Sequence, residues 1–70
     1  MNKELMKWLV KSQMIFTYIE SLVSDTSSSE KRAENARLLH DMKSIATANF
    51  ANDARLINAI DRGLACMPMA

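Results

Sequence analysis

Between Leu5 and Val23 the chain carries two apolar rows at helical spacing, and few folds can satisfy both. Counting about 100° per residue, Leu5, Trp8, Leu9, Ile15, Phe16, Ile19, Leu22 and Val23 share one broad face. Met6, Val10, Met14 and Tyr18 form an i, i+4 row on the other side. A helix apolar on both sides needs more than one neighbour. The spacing predicts a helix over about 2–24, with Asn2 as its cap and Glu4 in the first turn, where the helix dipole favours negative charge. Ser12 interrupts the broad face, and its hydroxyl is expected to bond back to the Trp8 carbonyl.

Lys3, Lys7 and Lys11 repeat at i, i+4 beside the second row. Like charges at that spacing cost a few tenths of a kcal/mol per pair. The ridge reads either as a docking edge for an acidic partner or as a solvated edge whose lysine stems cover Met6, Val10 and Met14.

With one Gly and one Pro in 70 residues, a turn-rich β fold is excluded and an all-α fold is expected. Asp25-Thr26-Ser27-Ser28-Ser29 reads as a linker, and Ser27 with Glu30 has the spacing of a capping box for the next helix. A helical region is expected over about 28–49, with Leu38, Leu39, Met42, Ile45, Ala46 and Phe50 on its apolar face. Glu34, Arg37, His40, Asp41 and Ser44 fall opposite, with Arg37 and Asp41 as a surface pair.

The apolar stripe resumes as Leu56, Ile57, Ile60, Leu64 and Met67, in phase with the stripe before it. That continuity predicts an antiparallel helical hairpin whose long second arm bends near Asn49–Asp53, with Asn49 and Asp53 as polar residues on the seam. The alternative is a three-helix bundle in which Asn52 or Asp53 starts a third helix over about 52–66. Gly63 is expected either to end the helix or to mark a close helix contact. Residues from about 67 to 70 are expected to fray before Pro68.

A single domain of this length has a thin core. Its lone Cys cannot form an internal disulfide, so self-association as a homodimer is the expected support. The early apolar run is broken by Lys7, Lys11, Gln13 and Glu20, so neither a membrane span nor a signal peptide is expected, and a reducing cytoplasmic setting fits the lone Cys.

Catalytic, cofactor and metal sites are not expected. His40 has no second ligand at i+3 or i+4, and Cys66, Met67 and Met69 are soft ligands too few to hold a metal by themselves. No phosphate-binding loop, Cys pair or nucleophile elbow occurs.

Two function classes remain. A helix-turn-helix reader of nucleic acid would use Asn52, Asp53, Arg55, Asn58 and Arg62. Against it stand Asp53, Glu30 and Glu34, a turn without glycine, and a formal net charge of only +1. The leading reading is a protein-interaction module, a regulator, inhibitor or adaptor docking on a larger protein. In size and layout the chain resembles the small helical-hairpin regulators that bacteria, plasmids and phages carry. The expected contact surface is Lys3, Met6, Lys7, Val10, Lys11, Met14 and Tyr18, because Met and Tyr suit contacts and lysines suit a rim. Leu5, Trp8, Leu9, Ile15, Phe16, Ile19, Leu22, Leu38, Leu39, Met42, Ile45, Phe50, Leu56, Ile57, Ile60 and Leu64 are expected in the core or the dimer contact.

Overall fold

A computed structural model describes residues 1–25 and 27–67. They form α1 (Lys3–Lys11), α2 (Ile15–Ser24), α3 (Ser29–Asn49) and α4 (Ala54–Cys66), with no strand among the described residues. Helices α2, α3 and α4 pack against one another, whereas α1 lies on α2 and α3 and has no close backbone approach to α4.

The expected single helix over about 2–24 is two helices. Gln13 has φ 63°, a left-handed conformation that ends α1 without a glycine. The Ser12 amide still donates to the Trp8 carbonyl at 2.9 Å, and the Gln13 amide donates to the Val10 carbonyl at 3.1 Å. The Ser12 hydroxyl bonds to the Leu9 carbonyl at 3.3 Å rather than to that of Trp8.

The cause of the break lies in the two apolar rows. Met6 and Leu9 are buried in α1, and Ile15, Ile19 and Leu22 in α2. On a straight helical wheel these two faces are out of phase by roughly 140°. A straight helix would bury both only with neighbours on two sides. Breaking at Gln13 lets α1 and α2 each turn a face to the same core, and burial of Met6 and Leu9 outweighs the strain of one left-handed residue, roughly 1–3 kcal/mol. Replacing Gln13 by Gly should therefore raise the melting temperature by a few degrees, and replacing it by β-branched Ile should lower it. Thermal unfolding by circular dichroism measures both; no difference between the two variants would contradict a left-handed residue 13.

Asp25 accepts the Ser27 hydroxyl at 2.9 Å. Ser27 is thereby engaged, and the cap of α3 falls to Ser28, whose hydroxyl accepts from the Lys31 amide at 3.0 Å. The capping box expected between Ser27 and Glu30 is therefore not formed, and Ser28 caps α3 by its hydroxyl alone. The part of the linker at Thr26 lies outside the described residues.

In α3 the buried stripe is Asn35, Leu39, Met42 and Ala46. Asn35 is 1% exposed, and its amide donates to the Leu22 carbonyl at 3.0 Å. That carbonyl is one of the last four of α2, which lack partners within their own helix, so Asn35 both satisfies it and ties α3 to α2. The Arg37–Asp41 pair is not formed; Asp41 lies 3.5 Å from the Met1 ammonium instead.

The second arm breaks rather than bends. The Phe50 amide closes α3 on the Ala46 carbonyl at 2.7 Å, and the Asp53 amide returns to the Phe50 carbonyl at 2.9 Å, which makes a turn of 50–53. The Asp53 carboxylate then accepts from the Leu56 amide at 3.1 Å and caps α4. Asn49 and Asp53 are therefore not seam residues: Asn49 is exposed and bonds to the Ile45 carbonyl at 3.1 Å, while Asp53 starts a helix.

Helices α3 and α4 run in opposite directions. Lys43 Nζ is 2.7 Å from Asp61 Oδ1, and the Leu39 Cδ1 methyl is 3.7 Å from where a Cβ on residue 63 would stand. The Ile19 and Val23 methyls would be 3.2 and 3.3 Å from that Cβ, so Gly63 is a point of close helix contact and α4 continues past it. Met67, the first residue of the tail expected to fray, is instead buried in the core; residues 68–70 of that tail lie outside the described residues.

Candidate interaction surface

The break at Gln13 decides which side chains α1 shows to solvent. Of the expected contact residues, Lys3, Lys7, Lys11 and Met14 are exposed, Val10 and Tyr18 are half-buried, and Met6 is wholly inside. Met6 is thus removed from the contact surface, and the reason is the rotation of α1 relative to α2. The same rotation carries two expected core residues outward: Leu5 is 43% exposed and Trp8 55%. Met14, at the elbow between the helices, is 50% exposed.

Leu5 and Trp8 are i, i+3 neighbours on one flank of α1, and Trp8 and Lys11 repeat that spacing. The outer surface of α1 is therefore a bulky aromatic and a leucine beside a row of cations. Among the described residues none of Lys3, Lys7 and Lys11 lies within ion-pair distance of a carboxylate. Trp8 lies outside the core of the single chain, a change of helix phase that periodicity alone cannot see; its residue type, enriched at binding hot spots, is the one sequence signal for a surface role.

The other expected core residues divide cleanly. Leu9, Ile15, Ile19, Leu22, Leu39, Met42, Leu56 and Ile60 are buried, and Phe16, Leu38, Ile45, Phe50, Ile57 and Leu64 are half-buried against them. The residues considered for nucleic acid lie mainly on α4 and the turn before it. Asn52 is exposed in the turn, Asp53 is engaged as the cap, and Arg55, Asn58 and Arg62 are exposed. The Arg55 guanidinium stacks over the Phe16 ring at 4.6 Å from its centroid, a cation–π contact between α4 and α2.

Alongside that contact runs an open groove of about 420 Å³ between α2 and α4. Phe16, Ile19 and Val23 form its α2 side, and Ala59 and Gly63 its α4 side. Glu20 and Arg62 also line it, and both are exposed. His40 and Cys66 are exposed, and no group of three His, Cys, Asp or Glu side chains gathers in metal-binding range among the described residues. No described helix is long and apolar enough to cross a membrane.

No known family model, curated protein or solved structure matches this chain.

Proposed function

We propose that this chain is a protein-interaction module, a small regulator, inhibitor or adaptor that docks on the acidic face of a larger protein through α1 and acts as a homodimer. The reading is of a non-enzymatic protein working in the cytoplasm. The observation that carries it is the exposure of Trp8 beside Leu5, next to Lys3, Lys7 and Lys11, which form no ion pair among the described residues. Scattered exposed apolar residues are ordinary on soluble proteins. A mostly exposed Trp is less so, because truncating one at an interface often costs more than any other contact. Lysines around such an anchor speed encounter with an acidic surface and select against basic ones.

Nucleic acid is the second reading, favoured by the row of Arg55, Asn58 and Arg62 along α4. It is the weaker one. A helix-turn-helix sets its helices at about 90–120°, whereas α3 and α4 lie side by side in opposite directions. Glu20 also stands in the same groove as Arg62, where it opposes a phosphate backbone.

The test is a triple replacement of Lys3, Lys7 and Lys11 by Gln, which keeps helix propensity and removes the charge. Immobilised wild-type and triple-variant protein are each exposed to lysate of the native host, and bound material is identified by mass spectrometry. The wild type should retain one larger acidic protein, and the variant should associate with it about tenfold more slowly, with a flatter salt dependence. Helicity should be unchanged and stability slightly higher, because like-charge repulsion is gone. Equal capture by both proteins, or recovery of nucleic acid alone, would contradict the reading.

A further inference from the structure

We infer that the groove between α2 and α4 is the seat of a second copy of this chain, with Glu20 of each copy facing Arg62 of the other. The inference rests on the homodimer of the proposed function and names the surface that forms it. Helix α1 packs on α2 and α3, away from the α2–α4 groove, which is open on its outer side. Phe16, Val23 and Ala59 stay half-exposed along it, above a floor of buried Ile19 and Gly63 where α2 and α4 already touch.

The charges say what fits. Glu20 belongs to the α2 side and Arg62 to the α4 side, and neither forms an ion pair among the described residues. An acidic partner would pair with Arg62 but meet Glu20 as a like charge. A phosphate backbone meets the same obstacle. A two-fold axis removes it, because exchanging the copies brings each α2 wall against the other copy's α4 wall. Glu20 then meets Arg62 twice, and the apolar lining is closed from both sides. With a formal net charge of +1, the two copies repel only weakly. Cys66 lines the same groove and is exposed, so its thiol reports on closure without any substitution.

The experiment is a charge exchange read by sedimentation equilibrium. Wild type, Glu20→Arg, Arg62→Glu and the double variant are compared, with alkylation of Cys66 followed across the same concentration series. Both positions are exposed and form no ion pair among the described residues, so helicity and melting temperature should stay near wild type in all four proteins. The wild type should dimerise, and its Cys66 should react more slowly as concentration rises. Each single reversal should weaken the dimer by about tenfold or more, because two like-charge contacts replace two attractive ones. The double variant should return to within about threefold of wild type. A dimer that ignores the single reversals, or a double variant as weak as the singles, would overturn this surface while leaving the dimer in place. A wild type that stays monomeric up to about 100 µM would overturn both this inference and the dimer it rests on.

Discussion

Replacing Leu39 with Ala is expected to cost about 2–5 kcal/mol of folding stability. Leu39 is 0% exposed, and it sits in α3 facing Gly63 of α4. Removing its branched end opens a cavity that Gly63, with no side chain of its own, cannot fill. A domain of this length holds only about 4–10 kcal/mol in total, at roughly 0.05–0.15 kcal/mol per residue. The variant therefore loses a large part of its stability, and its urea midpoint should fall steeply while the slope of the transition stays the same. Leu39→Met, which nearly conserves volume, should cost less than about 1.5 kcal/mol. A loss below about 1 kcal/mol for the alanine variant would mean that Leu39 is not at the centre of the core.

The second large effect falls on binding rather than folding. Trp8→Ala should leave stability within about 0.5 kcal/mol of wild type, because most of the side chain already faces water. The same change should weaken partner binding by about 30-fold or more, the range expected for a truncated hot-spot aromatic. Most of that loss should appear as faster dissociation, because a desolvated anchor holds a complex that charge only helps to form. Urea unfolding and surface plasmon resonance on one preparation measure both quantities. A Trp8→Ala protein that unfolds easily would return Trp8 to the core, where its spacing first placed it.

The contrast between Leu39 and Trp8 marks how far the sequence could be read. Leu39, Met42 and Ala46 lie on one stripe of a long uninterrupted helix, and there helical periodicity identifies the buried face directly. The same holds for Leu56 and Ile60 in α4. The turn at 50–53 was visible in outline, because Asn52 and Asp53 favour caps and turns. The continuous apolar phase argued for one bent arm instead, and the Asp53 cap together with the Phe50–Asp53 turn bond overrides it.

Two features were not legible. The left-handed Gln13 has no glycine or proline to announce it, since many residues can adopt that conformation where tertiary burial compensates the strain. Its consequence is large: it rotates the face of α1, so that Met6 goes in and Trp8 comes out. Asn35 was also hidden, because a polar residue in a helix reads as a surface position. Only the approach of the Leu22 carbonyl across the α2–α3 connection gives it a buried partner. Both are tertiary facts, and a pattern along one helix does not contain them.

The central claim is that partner contact is made by the face of α1 that carries Trp8. It is tested most directly by fluorine NMR of protein labelled with 5-fluorotryptophan. Trp8 is the only Trp in the chain, so the labelled protein has one reporter whatever the partner contains. On addition of the captured partner, the resonance should shift, and its response to exchanging H2O for D2O should shrink as Trp8 leaves solvent. A complex whose formation is plain from line broadening, but in which both the shift and the solvent response of Trp8 stay those of the free protein, would show that the partner docks elsewhere.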